Sequence, residues 1–195
     1  MDATNATTFD KLSDMWLDTQ ILEDGTRREY RKAMGFWSGM FGDKPIAKIT
    51  TMEVRQAIAQ KAKDASAKTV NNLLIPLRGV FETAMADGLV TRNPCESIKN
   101  LKHQKPTPDP FTKSEMERII EWLKRNTPPH VHSWYTVAFL TGLRPSEQRV
   151  IRQTDIDGDQ IKIERAYVRQ HLKRTKTYSV RQVDLSARPA SATAH

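Results

Sequence analysis

Arg144 and Glu147 stand three residues apart in the run Phe139-Leu-Thr-Gly-Leu-Arg-Pro-Ser-Glu147, and the residues around them give that spacing a chemical meaning. Gly142 suits the left-handed position that ends a helix, and Pro145 suits the first position of a new one. Arg144 is thereby held at the start of a helix. A planar guanidinium donates paired hydrogen bonds to phosphate oxygens, so an arginine fixed in place suits a phosphodiester. Glu147 is placed to orient it. On these residues alone, a purely structural Arg–Glu pair explains the spacing at least as well.

A second feature lies downstream. Between Ile161 and Gln182 seven basic residues (Lys162, Arg165, Arg169, Lys173, Arg174, Lys176, Arg181) stand against one acid, Glu164. The whole chain has 31 Lys and Arg against 23 Asp and Glu, a formal net charge of +8. A clustered excess of this kind is the footprint of a partner such as nucleic acid, although basic runs are often only solvated faces. Several other classes are excluded. The single cysteine, Cys95, cannot build a disulfide framework or a cysteine-based zinc site. No apolar stretch approaches the ~18 residues that a membrane span requires. Residues 1–8 lack the basic start and apolar run of a secretory signal, so the expectation is a protein of a reducing cytoplasm that does not engage membranes.

The elements that must position these residues read as mainly helical. Thr8 caps a first helix whose Phe9, Leu12, Met15 and Trp16 are assigned to one face. Ser/Thr-x-x-Glu capping boxes are expected at Thr26 with Glu29, Thr50 with Glu53 and Thr112 with Glu115. Tyr30, Met34, Trp37 and Phe41 mark a second helix ending near Gly42, and Val54 and Ile58 a third. A fourth runs over about 68–86 on Val70, Leu73, Leu74, Leu77, Val80, Phe81 and Ala84, with a kink expected at Pro76 because proline costs roughly 3 kcal/mol in a helix interior. Asp87-Gly88 closes it. The proline-rich segment 100–110 reads as a linker. Beyond it, Met116, Ile119, Ile120 and Leu123 give another amphipathic helix, and 131–140 is apolar nearly all round, as a helix buried in a core would be. Asp157-Gly158 is a turn before a strand on Ile161 and Ile163. Further strands are expected at 174–178 and 181–185, the latter with Val183 and Leu185 on one face. The small, polar tail 186–195 is expected to be disordered.

With these pieces in order, the sequence resembles the tyrosine recombinases, or phage integrases, over about residues 8–185. The most specific match is Thr141-Gly-Leu-Arg-Pro-Ser-Glu147, which looks like the segment bearing the family's first catalytic arginine and its neighbouring acid. Lys173-Arg-Thr-Lys-Thr-Tyr-Ser-Val-Arg-Gln-Val-Asp-Leu185 resembles the hairpin that carries the catalytic lysine, with Lys176 at the matching place. Phe41-Gly-Asp-Lys-Pro-Ile46, Lys68-Thr-Val-Asn71 and Asp87-Gly-Leu-Val-Thr-Arg-Asn-Pro94 are similar to the helical core-site-binding domain. The resemblance implies a helical, SAM-like core-binding domain at 1–101, a linker at 102–109, and the first part of an α+β catalytic domain with a small antiparallel sheet at 110–195. It implies double-stranded DNA as partner, with Lys68, Thr69, Asn71, Arg174 and Arg181 as DNA-binding residues. The implied chemistry is attack of a tyrosine on a phosphodiester, giving a 3′-phosphotyrosyl link without metal or cofactor. Arg144 would stabilise the developing charge, Glu147 would orient it, and Lys176 would protonate the departing 5′ oxygen or contact the DNA backbone.

The sequence also departs from that pattern. His171-Leu-Lys-Arg174 spells the family's His-x-x-Arg but stands before the hairpin lysine instead of after it. Tyr167 and Tyr178 lie in the strand region, and Tyr30 and Tyr135 on apolar faces, so no tyrosine occupies the nucleophile's context. The family's second arginine, its histidines and its nucleophile are unmatched. The expectation is a C-terminally shortened, inactive member of the family. The alternative is a non-catalytic DNA-binding module occupying recombination sites, alone, self-associated, or beside an intact recombinase subunit.

Overall fold

A computed structural model describes residues 7–102, 107–168, 171–174 and 180–184. The chain divides into two compact units, Met1–Pro106 and Thr107–His195. It is mainly helical with small antiparallel sheets, as the sequence leads one to expect.

The first unit is built from α1 (Phe9–Thr19), α2 (Asp24–Phe41), a 3-10 turn at Ile46–Lys48, α3 (Thr51–Lys61) and α4 (Ala67–Ala86). Helix α1 starts where the Thr8 side chain accepts from the Lys11 N–H at 3.4 Å. Its buried stripe is Phe9, Leu12, Ser13, Trp16 and Leu17. Met15 is 56% exposed, contrary to the sequence assignment, because it stands six positions after Phe9, well round the helix from the i, i+3, i+4, i+7, i+8 face. Helix α2 begins at Asp24 with Glu23 as its cap. The expected box at Thr26 is therefore wrong: the backbone is already helical there, and Glu29 pairs with Lys32. The Thr50 box is present, with Glu53 N–H donating to Thr50 Oγ1 at 3.3 Å and Thr50 N–H to Glu53 Oε2 at 3.0 Å.

Helix α4 runs unbroken through Pro76, whose side chain is fully buried. Ser66 caps it by accepting from the Thr69 N–H. Its face of Val70, Leu74, Leu77, Val80, Phe81 and Ala84 meets Phe9, Trp37 and Phe41 in one continuous core that also takes in Cys95 and Ile98. Trp37 is wholly buried, so its indole N–H needs an acceptor, and it donates to the Leu73 carbonyl at 2.9 Å.

Among the described residues the second unit comprises α5 (Lys113–Asn126), α6 (Pro129–Thr141), the single turn α7 (Pro145–Gln148) and the short strands β1 (Ile156–Asp157), β2 (Gln160–Ile163), β3 (Arg165–Val168), β4 (His171–Arg174) and β5 (Arg181–Asp184). Helix α5 starts on the expected Thr112 box. Helix α6 corrects an expectation: it is apolar almost all round, yet none of its residues is buried, and Tyr135 and Leu140 are 47% and 43% exposed. Phe139 packs edge-on against Phe111, and Val137 joins a small core of Leu143, Ile161 and Ile163. A one-dimensional pattern shows that faces are apolar, not which of them neighbouring elements reach.

Strands β1, β2 and β5 form one antiparallel sheet in the order β1-β2-β5, and β3 pairs with β4 in a separate hairpin. Gly158, at φ 54°, makes the turn between β1 and β2. The strand expected at 174–178 falls, beyond Arg174, outside the described residues; β4 and its partner β3 are strands that the sequence reading does not single out. Residues 175–179 and the tail 186–195 lie outside the described residues.

Candidate functional site

The Thr141–Glu147 segment is shaped as its residue types require. Gly142 closes α6 at φ 61°, a left-handed cap, and Pro145 opens α7 with Arg144 as the residue before it. Leu143 turns into the core at 5% exposure and anchors the loop. Arg144 follows it outward, its side chain 57% exposed, while that of Glu147 is only 3% exposed.

Glu147 is the centre of the site. Its Oε1 accepts from Arg144 Nη1 at 2.8 Å, and its Oε2 accepts from the Arg144 backbone N–H at 3.0 Å and from Arg181 Nη2 at 2.7 Å. Burial alone would push this carboxyl up, but the hydrogen bonds from Arg144 and the charges of Arg181 and Arg144 outweigh it and hold the group below its ordinary value. A buried carboxylate is thus kept ionised by two arginines, both of which still present guanidinium donors to solvent, since the Arg181 side chain is 42% exposed. Such an arrangement can receive an anion without first reorganising.

Sequence reading paired Arg144 with Glu147 but treated Arg181 as a separate DNA contact. A signal for the third member was present. In the β2–β5 ladder Arg181 faces Ile163, and Val183 faces Ile161. Cross-strand partners share a face, and both isoleucines are buried. An arginine two residues before an inward valine therefore turns inward too, where a charge needs a partner.

The basic run is less available than its count implies. Of its members with described side chains, Lys162 pairs with Glu164 at 2.5 Å, Arg165 with Asp155 at 2.5 Å, and Arg181 with Glu147. Arg174 ends β4 opposite Arg165. Lys176 lies outside the described residues. In the first unit, Lys68 and Thr69 are exposed in the first turn of α4. Asn71 is engaged within the fold: its side-chain N–H donates to the Leu101 carbonyl at 2.9 Å, and its oxygen accepts from the Leu101 N–H at 2.8 Å. Among the described residues no cluster of His, Cys, Asp or Glu could hold a metal ion, and no helix is long and apolar enough to cross a membrane.

Residues 9–101 match the family model described as the phage integrase central domain. That match spans the whole helical core of the first unit. Residues 9–101 belong to the phage integrase central-domain family. Over 121 residues it is 31% identical to the ICEBs1 integrase of Bacillus subtilis, a stretch that covers 62% of this chain and 33% of that protein. Among solved structures it is similar to a lambda integrase dimer bound to a COC′ core site, with a TM-score of 0.77 and 18% identity over 93% of this chain and 50% of the other. It is similar also to the Tn1549 transposon integrase in complex with transposon right end DNA, at a TM-score of 0.79 and 21% identity, over 93% of this chain and 62% of that one. At these identities the two structures establish the shared fold, which extends through both units of the chain. The chain spans a third of the Bacillus protein's length and between half and two thirds of the two solved chains.

Proposed function

We propose that this protein binds double-stranded DNA at recombination sites and holds a phosphodiester at Arg144. The first unit serves as the core-site-binding domain, with Lys68 and Thr69 at the head of α4 turned to the DNA backbone. In the second unit Arg144 donates to nonbridging phosphate oxygens while Glu147 fixes its direction, and Lys176 and Arg174 belong to the basic segment that follows the chain of the DNA or, for Lys176, protonates a departing 5′ oxygen. The observation that carries the reading is the Arg144 guanidinium itself: among the described residues it is anchored at one nitrogen by a buried carboxylate, and its side chain is 57% exposed. In the full reaction of such an enzyme a tyrosine attacks the phosphate and the cations stabilise the charge that develops on its oxygens. None of the four tyrosines of these 195 residues stands in the matched context, so this stretch by itself is expected to bind without cleaving, with another copy or an intact recombinase subunit as its companion on the DNA. The compartment is the cytoplasm, where a lone thiol stays reduced.

Two measurements test this. Duplex binding should weaken steeply with salt, each neutralised phosphate adding about −0.9 to the log–log slope. Binding that ignores salt, or none in dilute buffer, refutes the reading. A nicked duplex that traps covalent intermediates should give no protein–DNA adduct on a denaturing gel. An adduct that vanishes on Tyr167→Phe or Tyr178→Phe would make one of those strand tyrosines the nucleophile.

A further inference from the structure

Two guanidinium groups meet one carboxylate, and the way its oxygens are shared decides what each can do. Oε1 of Glu147 has a single described donor, Arg144 Nη1. Oε2 has two, the Arg144 backbone N–H and Arg181 Nη2. An arginine beside an unoccupied carboxylate closes on both oxygens with its paired N–H groups, the strongest arrangement open to it. Here Arg181 stands on the second oxygen, so Arg144 is confined to a one-point contact. The rest of its fork of five donors is left for another anion.

The position of Arg181 is set by the sheet. It stands opposite Ile163 at the end of the β2–β5 ladder, and its side chain reaches from β5 across to α7. Strand β5 is thereby tied to the turn that carries Arg144. Glu147 has no room to relax toward solvent in compensation, since 3% of its side chain is exposed.

We infer that Arg181 is a positioning residue of the phosphate site: by occupying Oε2 of Glu147 it keeps the Arg144 guanidinium directed outward, and it does not itself contact DNA. This replaces the direct DNA contact expected from sequence. For its ligand the inference rests on the proposed DNA-binding role. The geometric part, that Arg181 governs Glu147, stands apart from that role and is measured separately.

The test is a double-mutant cycle on the full chain, read by fluorescence anisotropy with a short labelled duplex. Arg144→Gln and Arg181→Gln should each weaken binding, by about ten- to a hundredfold, as expected for one charge-assisted hydrogen bond. The double variant should be no weaker than Arg144→Gln alone, because Arg181 acts only through Arg144. Arg181→Lys, which retains a cationic donor for Oε2, should recover most of the loss; a role confined to packing would not be rescued in this way. Multiplicative losses in the double variant would mean that Arg181 touches DNA itself and would overturn the inference. So would full affinity in Arg181→Gln when Arg144→Gln is impaired.

If the parent chain binds no duplex, or Arg144→Gln costs nothing, the DNA reading has failed at that point, and a second measurement decides the inference alone. Carbon-13 NMR of the Glu147 carboxyl should show a titration displaced upward in Arg181→Gln and restored in Arg181→Lys. An unchanged titration would overturn it. Should Arg181→Gln fail to fold, the parent and Arg181→Lys still decide by whether duplex affinity is kept: a Lys variant that folds but binds like Arg144→Gln sinks the proposal.

Discussion

Gly79 lies in α4 directly against the indole of Trp16, and replacing it with alanine sets two known effects against each other. A Cβ at that position would stand 2.4 Å from Cζ2 and 2.9 Å from Cε2 of the ring, closer than carbon atoms pack. The ring cannot withdraw cheaply. Trp16 is 7% exposed and stacked on Tyr30, with centroids 5.8 Å apart and planes inclined at 20°. Overpacking of this kind costs about 1–3 kcal/mol, whereas alanine for glycine inside a helix ordinarily stabilises by about 1 kcal/mol. A contact this close to a ring that cannot withdraw puts the cost in the upper part of that range, about 2–3 kcal/mol, so the clash should win and Gly79→Ala is expected to lose about 1–2 kcal/mol. Gly35 in α2 supplies the control, because nothing lies within 4 Å of the Cβ it would gain; Gly35→Ala should be stabilising by up to about 1 kcal/mol. The assay is urea unfolding followed by helical circular dichroism and tryptophan emission, comparing midpoints at equal slope. In a Trp16→Leu background the ring is gone, so Gly79→Ala should become neutral or stabilising. A Gly79→Ala chain as stable as its parent with Trp16 in place would refute the reasoning.

Three further outcomes follow from contacts already described. Asn71→Ala removes two hydrogen bonds to Leu101 and should cost about 2 kcal/mol, with hydrogen exchange at the Leu101 amide rising sharply; unchanged exchange there would count against the pairing. The Lys44 hydrogen bond and the Thr50 donors hold the Glu53 carboxyl at about 2, below its ordinary 4.5. Its contribution is therefore complete above pH 4.5 and is lost as pH falls toward 2. With Lys44 and Glu53 side chains 32% and 36% exposed, solvent screening limits the effect to about 1 kcal/mol, and Glu53→Gln should flatten the acid limb of the stability curve by that amount. Burial pushes the Cys95 thiol up to about 12, so a thiol reagent at neutral pH should label it only after unfolding; rapid labelling of the folded chain would contradict its burial.

The helices of the first unit were legible because their signals are local. Thr8 and Thr50 are recognisable as caps from a few residues each, as is Thr112 at the head of α5 in the second unit, and the α4 stripe repeats often enough to survive Pro76. The misreadings have physical causes. Thr26 has the capping spelling, but α2 begins two residues earlier, and spelling cannot fix where a chain first turns helical. The exposure of α6 depends on what packs around it, which its own composition does not contain. At the site, Arg144 and Glu147 were legible because they are three residues apart. For the third member the alternation with Val183 shows only that Arg181 turns inward; that Glu147 is its partner follows from the β2–β5 register, and a pairing between distant strands is a property of the whole sheet. Asn71 shows the same limit: its motif was read as a DNA contact, while its amide binds the backbone of Leu101, thirty residues on.

The β1-β2-β5 order has an evolutionary consequence. Strands β2 and β5 are neighbours in the sheet, with Ile163 opposite Arg181, so the whole segment 164–180, including the β3–β4 hairpin, is an excursion whose two ends are sewn together. Closing a loop costs only about 0.6 kcal/mol more for each doubling of its length. Insertions and deletions beyond β3 can therefore accumulate while the ladder at the base of the excursion, and the Arg181–Glu147 bridge beside it, keep their places. Strand β3 is the fixed part of the arm, since it lies against α7 with Ala166 buried and Arg165 tied to Asp155, so divergence in length should concentrate in the stretch between β3 and β5.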